Sequence, residues 1–144
     1  MHRRIGSGSP LMLVHGYLGG QFMWQFQEPL QDHFELIMPS LAGYGESAHL
    51  EAPSSIPGNV DDICRLLDSL EIDKVDLLGH SMGGMIVQEM AANRPDRINR
   101  LICLGTGSMG VLPNRFEPIE ESRRKILHLG LEHARENIAR TWFL

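Results

Sequence analysis

The stretch Gly79-His80-Ser81-Met82-Gly83-Gly84 lies between an apolar run, Val75 to Leu78, and a segment of helical character, Met85 to Asn93. This order predicts a buried strand, a sharp turn that carries the serine, and a helix, the arrangement called a nucleophile elbow. Glycines suit such a turn because, without a Cβ, they let the strand and the helix approach closely. The serine backbone is then strained and presents Oγ clear of the surface. Ser81 is therefore the candidate nucleophile.

A second glycine-rich segment precedes this turn. The apolar run Pro10 to Val14 predicts a strand, and it ends in His15-Gly16-Tyr17-Leu18-Gly19-Gly20. A serine that attacks a carbonyl group creates an oxyanion, which requires backbone N–H donors already aimed at it. We expect one donor at Met82, where the dipole of the predicted helix also favours negative charge. The second donor of this oxyanion hole is expected in the loop after Gly16, at Tyr17.

On these motifs the chain resembles the α/β-hydrolase superfamily, and the resemblance covers nearly all of its length in the expected order. Ile5 to Pro10 is similar to the turn before that family's third strand. Leu36 to Ser47 is similar to the fourth strand with its glycine loop, and Arg94 to Leu104 to the sixth strand. Ser40 departs from the pattern, since many relatives carry there an aspartate that organises the loop. The departure concerns loop geometry more than chemistry.

Alternating strand and helix patterns predict an α/β fold class, a mostly parallel sheet with helices on both faces. We expect strands at residues 2–5, 11–15, 34–38, 74–79 and 98–104. We expect helices at residues 21–31, 58–70, 82–93 and 118–140. The prediction is an α/β-hydrolase core that is truncated before that family's last strands.

The character of the sequence changes near residue 110. From Val111 onward, charged and apolar residues interleave at helical intervals, which predicts amphipathic helices. In the family that the chain resembles, a helical cap follows the sixth strand and shapes the substrate pocket. We therefore expect the core at residues 1–110 and the beginning of a helical cap at residues 111–144.

The length of the chain argues against a complete catalytic triad. A hydrolase of this kind needs roughly twice the length present here. The family places its triad in the chain order Ser, then Asp or Glu, then His. After the sixth strand the sequence reads Gly105-Thr106-Gly107-Ser108-Met109-Gly110, without a carboxylate, and no further strand is predicted. We expect the nucleophile and the oxyanion hole without their base and acid.

The histidines near these motifs have structural interpretations. His15 is expected to bond the backbone through its imidazole, and His80 to pack away from the serine hydroxyl. His128 and His133 are the only histidines after Ser81, and they lie among charged residues of the predicted cap helices. A solvated helix face explains both better than a catalytic base does, although a triad is recognised by geometry and not by position.

The remaining site predictions concern the shape of the site. We expect three glycines to shape the oxyanion loop and the elbow, namely Gly16, Gly79 and Gly83. The candidates to line an apolar acyl pocket are Tyr17, Met82 and Met109, with a packing role open for each. No metal site and no cofactor are predicted.

Composition and charge argue against several classes of function. Apolar residues make up 42% and charged residues 22% of the chain, as in a globular protein. The net charge of −5 gives no basic surface for nucleic acid, and no apolar run approaches the roughly 20 residues of a membrane span. With two cysteines and no secretion signal, we expect a cytoplasmic protein.

The resemblance implies a serine hydrolase of carboxylic ester or lactone type, which transfers an acyl group to Ser81 and then to water. Gly79 to Gln88 is most similar to the esterases and lactonases around 3-oxoadipate enol-lactone hydrolases. Relatives with halide or epoxide chemistry carry an aspartate nucleophile, so Ser81 argues against those activities. Carbon–carbon bond hydrolases, haloperoxidases and acyltransferases keep the serine and stay open.

The alternative hypothesis is that the chain catalyses no reaction. The chain would then be a non-catalytic fragment, or a binding or assembly module that needs only the pocket. The expected partners are a small-molecule ester or lactone substrate and, for the sheet, a complementary C-terminal fragment or a second copy of the chain. The sheet partner is expected because the strand at 98–104 would present an unpaired edge and an uncovered apolar face.

Overall fold

The computed structural model describes residues 1–108, 121, 124–125, 127–130, 133, 136–137 and 140. The chain divides into two compact units, Met1–Gly110 and Val111–Leu144. In the second unit the described residues are helical. The rest of the helix predicted at 118–140 lies outside the described residues, and the assignment of this unit as a cap stays a prediction.

The first unit is built on one sheet of five strands in the order β1-β3-β2-β4-β5. The strands are β1 His2–Ile5, β2 Ser9–Val14, β3 Phe34–Pro39, β4 Val75–His80 and β5 Ile98–Leu104. β1 runs antiparallel to β3, and the other three pairs are parallel. The predicted α/β class with a mostly parallel sheet is confirmed, and every predicted strand is present to within two residues.

The helices follow the prediction in place but not always in type. The α-helices are α1 Ile56–Ser69 and α2 Met82–Asn93, and 3₁₀ segments span Gln21–Asp32, Gly45–Ser47 and Pro95–Arg97. Gln21–Asp32 was expected as a regular helix. Trp24 has non-helical dihedrals inside it, φ −92° and ψ 16°, and Pro29 removes an amide donor from its last part. The segment therefore stays in tight 3₁₀ turns, a form that is stable only in short pieces.

Two apolar clusters cover the two faces of the sheet. One joins α1 and α2 to the sheet through residues such as Ile63, Ile86 and Met12. The other places the buried Trp24 against Leu11 and further apolar side chains of β2 and β3. Successive residues of β2 thus enter opposite clusters, as the alternation of a strand requires. Burial on both faces explains why β2 reads as an unbroken apolar run.

β5 lies at the edge of the sheet among the strands that the structure describes. Leu101, Ile102 and Leu104 are 40%, 47% and 49% exposed. The sequence predicted an uncovered apolar face formed by these three side chains and Ile98, but Ile98 is partly buried and packs against the first apolar cluster. In the described part of the chain, no helix is both long and apolar enough to cross a membrane.

Candidate active site

The pairing of β2 with β4 brings the two glycine-rich segments together. Val14 lies opposite Gly79 in this parallel pair, so the residues that follow both strands leave the sheet at the same edge. A Cβ built on Gly16 would lie 2.9 Å from the Cβ of Ser81. The loop after β2 therefore lies directly beside the serine.

Ser81 occupies the turn between β4 and α2 in a backbone conformation that residues with a side chain rarely adopt. Its φ is 53° and its ψ is −118°, outside the regions that L-residues normally populate. The Ser81 N–H donates to the carbonyl oxygen of Leu104 at 3.1 Å. The Ser81 carbonyl oxygen accepts from Thr106 Oγ1 at 2.7 Å and from the N–H of Met85 at 3.2 Å. The strained residue is therefore held by hydrogen bonds from the end of β5, from the loop after it and from α2.

The first turn of α2 lies against the end of β2 with no space between them. A Cβ on Gly83 would lie 2.2 Å from the carbonyl oxygen of Val14 and 2.5 Å from that of His15. A Cβ on Gly79 would lie 2.3 Å from the carbonyl oxygen of Gly83. Backbone atoms cannot move aside as a side chain can, so both positions accept only glycine without rearrangement.

Tyr17 and Met82 lie on the two segments that meet at the serine. Met82 is the first residue of α2, and N–H groups of a first helical turn have no intrahelical acceptor. Tyr17 follows Gly16 in a tight turn, in which the N–H of Gly19 donates to the Gly16 carbonyl at 3.1 Å and Leu18 has φ 63°. These positions suit two convergent backbone donors, and their role as an oxyanion hole stays a prediction.

His15 is fully buried and bonds only backbone groups. Its Nδ1 lies 2.8 Å from the Gly16 carbonyl oxygen, and its Nε2 accepts from the N–H of Leu41 at 3.0 Å. An accepting Nε2 places the proton on Nδ1 and leaves the ring neutral. Burial lowers the pKa of His15, which agrees with the neutral ring. His15 thus ties the loop after β2 to the residues after β3, which is the structural role expected from the sequence.

At Ser40, the position that departs from the pattern of the family that the chain resembles, the serine hydroxyl is hydrogen-bonded to the carboxylate of Glu46. Ser40 Oγ accepts from the N–H of Gln21 at 3.1 Å and donates to Glu46 Oε2 at 2.6 Å. This hydrogen bond from Ser40 lowers the pKa of Glu46, which keeps the carboxylate ionised. The loop therefore retains an anionic anchor, one that sequence reasoning missed. The only sequence signal for it is a glutamate in the glycine loop six residues after Ser40.

A cleft of about 320 Å³ opens beside the first residue of α2. Its lining includes Met82, Tyr44, Ile56 and Asn59. The Tyr44 hydroxyl lies 3.8 Å from Met82 Sδ, to which it donates. The ring of Tyr17, which is 51% exposed, meets that of Tyr44 edge-on with centroids 6.0 Å apart.

Of the three residues predicted to line a pocket, Met82 lines this cleft and Tyr17 reaches it through Tyr44. Met109 lies outside the described residues. Tyr44, Ile56 and Asn59 were not predicted as lining residues. Tyr44 lies in the loop after β3, whereas Ile56 and Asn59 lie in the first turns of α1, which follows that loop. The only signal was topological, because the chain after β3 leaves the sheet at the same edge as the chain after β2 and β4.

The base and the acid of a triad are not found beside Ser81. Among the residues that the structure describes, no histidine or carboxylate forms a hydrogen bond with its hydroxyl. His128 and His133 are exposed helical residues of the second unit. Nδ1 of His80 is buried without a hydrogen-bond partner in the described part of the chain, and it lies 3.1 Å from where a Gly16 Cβ would stand. Within the same residues, no group of three or more His, Cys, Asp or Glu is placed to hold a metal ion.

Comparison with known proteins agrees with this architecture. A sequence model of the family described as alpha/beta hydrolase fold matches residues 9–134. The chain is 34% identical over 112 residues to 2-hydroxymuconate semialdehyde hydrolase of Pseudomonas sp. strain CF600, covering 72% of this chain and 38% of that protein. It is 35% identical over 104 residues to epoxide hydrolase 2 of Siraitia grosvenorii, covering 69% of this chain and 33% of that protein.

A solved structure leads to the same family. A thermophilic esterase from Thermogutta terrifontis matches with a TM-score of 0.81 and 30% identity, over 97% of this chain and 52% of that one. The chain therefore spans 33% to 52% of the length of these relatives. With the family model matching most of its residues, the chain belongs to the α/β-hydrolase fold family.

Proposed function

We propose that this chain supplies the nucleophile and the oxyanion-binding part of a serine hydrolase that acts on carboxylic esters or lactones. The observation that carries the proposal is the conformation of Ser81, at φ 53° and ψ −118° on the turn between β4 and α2. A serine is kept in such a strained position only where the surrounding structure enforces it, and such positions are concentrated at functional sites. Gly16, whose Cβ would nearly touch that of Ser81, places the candidate donor loop beside it.

The reaction would proceed by acyl transfer. Ser81 Oγ attacks the carbonyl carbon, and its proton passes to a histidine. The N–H groups of Tyr17 and Met82 donate to the resulting oxyanion. Collapse of the tetrahedral intermediate breaks the bond to the leaving oxygen, which takes the proton from the histidine and forms the alcohol group. Water then gives a proton to the histidine and attacks the acyl-enzyme, and Ser81 Oγ regains that proton as the acid is released.

We assign the missing histidine and its carboxylate to a complementary C-terminal segment. The support is that neither group bonds the Ser81 hydroxyl in the described part of the chain and that the relatives are about twice as long. The exposed edge of β5 is the surface on which further strands of such a segment would pair. With this segment the chain would have a complete triad, and without it the site would have the nucleophile and the oxyanion donors but neither base nor acid.

The cleft beside Met82 supports a small, uncharged acyl group. The residues that line it carry hydroxyl, amide and apolar groups and no formal charge. Its volume of about 320 Å³ lies at the small end of ligand pockets. The similarity to an esterase at 30% identity favours ester hydrolysis. Carbon–carbon bond hydrolysis is the second candidate, because the similarity to 2-hydroxymuconate semialdehyde hydrolase reaches 34% identity.

The proposal is tested by acylation of Ser81. We expect 4-nitrophenyl acetate to acetylate the 144-residue chain slowly at Ser81, as detected by intact-mass spectrometry and peptide mapping. The reaction is slow because an incomplete triad retains only oxyanion and binding catalysis. Ser81→Ala should abolish the adduct and Ser69→Ala, a remote serine, should leave it unchanged. An unmodified Ser81, in a chain that still binds the ester, would overturn the proposal in favour of a binding module.

A further inference from the structure

The loop after β5 contacts the turn that carries Ser81. No sequence motif indicated this contact. Thr106 Oγ1 donates a hydrogen bond of 2.7 Å to the carbonyl oxygen of Ser81. The N–H of Ser81 in turn donates to the carbonyl oxygen of Leu104 at 3.1 Å. Both backbone polar groups of the serine are thus bonded to the same short stretch of chain.

Thr106 is itself held against α2. A Cβ on Gly84 would lie 2.4 Å from Thr106 Cγ2, so the glycine leaves the space that the threonine side chain fills. Gln88 Nε2 donates to the Gly84 carbonyl at 3.0 Å and to the Gly107 carbonyl at 3.2 Å. The glutamine therefore fastens the loop one residue after Thr106 to the same helix.

The Ser81 carbonyl and the Met82 N–H belong to one peptide group. That group is planar and trans, so its oxygen and its N–H point in opposite directions. A hydrogen bond that fixes the oxygen therefore fixes the direction of the N–H. Acceptance of a hydrogen bond at the oxygen also polarises the peptide and strengthens its N–H as a donor. Thr106 thus bonds the oxygen at one end of a peptide group, and the N–H at the other end is the candidate oxyanion donor.

We propose that Thr106 is a positioning residue, which orients the Met82 N–H through the peptide between Ser81 and Met82. This inference rests on the proposed function, because the orientation matters only if that N–H receives an oxyanion. The acceptors within reach of the Thr106 hydroxyl are the carbonyl oxygens of Ser81, at 2.7 Å, and of Gly107, at 3.3 Å. This hydroxyl holds the oxygen at the opposite end of the peptide group, with a shorter bond than the 3.2 Å bond from the Met85 N–H to the same oxygen.

The test compares two substitutions of one side chain with a matched control. Thr106→Val keeps a methyl group against Gly84 and removes the hydroxyl, whereas Thr106→Ser keeps the hydroxyl. Ser69→Ala is the control, because Ser69 Oγ donates to the Leu66 carbonyl at 2.7 Å, a bond of equal length at the end of α1. The melting temperatures of Thr106→Val and Ser69→Ala show how much stability is lost with each hydrogen bond. The melting temperature of Thr106→Ser shows the effect of removing the methyl group alone.

The first measurement is spectroscopic and needs no activity. In the isotope-labelled chain we expect Thr106→Val to shift the Ser81 carbonyl carbon and the Met82 amide nitrogen upfield, because both are deshielded by a hydrogen bond at that carbonyl. Thr106→Ser and Ser69→Ala should leave both resonances near their original positions. Unchanged resonances in Thr106→Val would overturn the inference.

The second measurement is the rate of Ser81 acetylation by 4-nitrophenyl acetate. We expect Thr106→Val to slow it about tenfold, less than the loss of a whole oxyanion donor, with Thr106→Ser restoring the rate. If Thr106→Val is acetylated as fast as the parent, Thr106 is not a positioning residue. If the parent itself is not acetylated at Ser81, the proposed function fails, and the resonances alone then decide whether Thr106 orients the peptide.

Discussion

Ser81 is held at a backbone conformation that costs a residue with a side chain about 1–3 kcal/mol. Hydrogen bonds to Leu104, Thr106 and Met85 offset this cost in the folded chain. This strain should therefore be measurable in the free energy of unfolding, without any assay of catalysis.

We expect Ser81→Gly to be more stable than Ser81→Ala by about 1 kcal/mol, although both lack the hydroxyl. Glycine adopts φ 53° without a steric cost, whereas the Cβ of alanine keeps the strain. The measurement is the free energy of unfolding in urea. At Ala91, a helical position of α2, the change to glycine should cost about 1 kcal/mol. An alanine variant at 81 as stable as the glycine variant would mean that the turn is relaxed.

The burial of His15 predicts how the stability of the chain depends on pH. Its pKa is lowered by burial, so in the window between the folded value and the ordinary value of 6.5 the unfolded chain binds more protons. The free energy of unfolding should therefore be highest above about pH 6.5 and should fall as the pH is lowered through that window. Urea denaturation at about pH 7.5 and about pH 5.5 measures the change.

A control separates His15 from the other histidine whose pKa burial lowers, His2. Both pH values should be compared in a His2→Gln background, with and without His15→Gln. Glutamine can donate to the Gly16 carbonyl and accept from Leu41 but does not titrate. An equal loss of stability at low pH in both chains would contradict a titrating, buried His15.

At the scale of the elements, the contact between β2 and α2 depends on Gly83. We expect Gly83→Ala to cost about 3 kcal/mol or more, because its Cβ would lie 2.2 Å from the Val14 carbonyl oxygen and the backbone must shift. Melting temperature and soluble yield measure the effect. Gly20→Ala is the matched control, since the atom nearest to its added Cβ, Gly45 Cα, would lie 3.3 Å away. Equal stability of the two variants would show that strand and helix can separate at little cost.

The strands could be predicted because burial on both faces leaves an apolar run in the sequence, as in β2 and β4. The 3₁₀ form of Gln21–Asp32 was not predicted, because Pro29 indicates only a break near the end of a helix and the non-helical dihedrals of Trp24 leave no pattern in the sequence. The roles of Glu46 and Thr106 were also missed. Thr106 bonds Ser81, a partner 25 residues away, and local patterns do not indicate such a contact. Glu46 lies only six residues after Ser40, but whether their side chains meet depends on how the glycine loop folds.

For the whole molecule, the edge of β5 is the feature with the widest effect. Leu101, Ile102 and Leu104 are each at least 40% exposed on a strand that pairs on one side among the described residues. Exposed apolar edge strands associate with other strands. We expect the chain to form a complex with a complementary fragment, to pair with a second copy, or to aggregate.

Size exclusion with light scattering measures this association. A monodisperse species of 16.2 kDa, without a companion chain, would contradict it. Ile102→Lys is the informative variant, because a lysine on an edge strand hinders pairing and should raise the monomer fraction. Leu50→Lys, a similar change at an exposed leucine outside the sheet, should not.

The position of β2 between β3 and β4 has a consequence for how the protein acquires its binding capacity. β3 follows β2 closely in the chain, whereas β4 arrives only after α1, so the second edge of β2 stays open until a much longer loop has closed. Gly16 and Ser81 become neighbours only at that step. A compound that binds across them would therefore recognise only chains that have completed the central strand pair, and by mass action it would raise their share of the population. Such a ligand would act as a folding aid for this protein, even one that is never turned over.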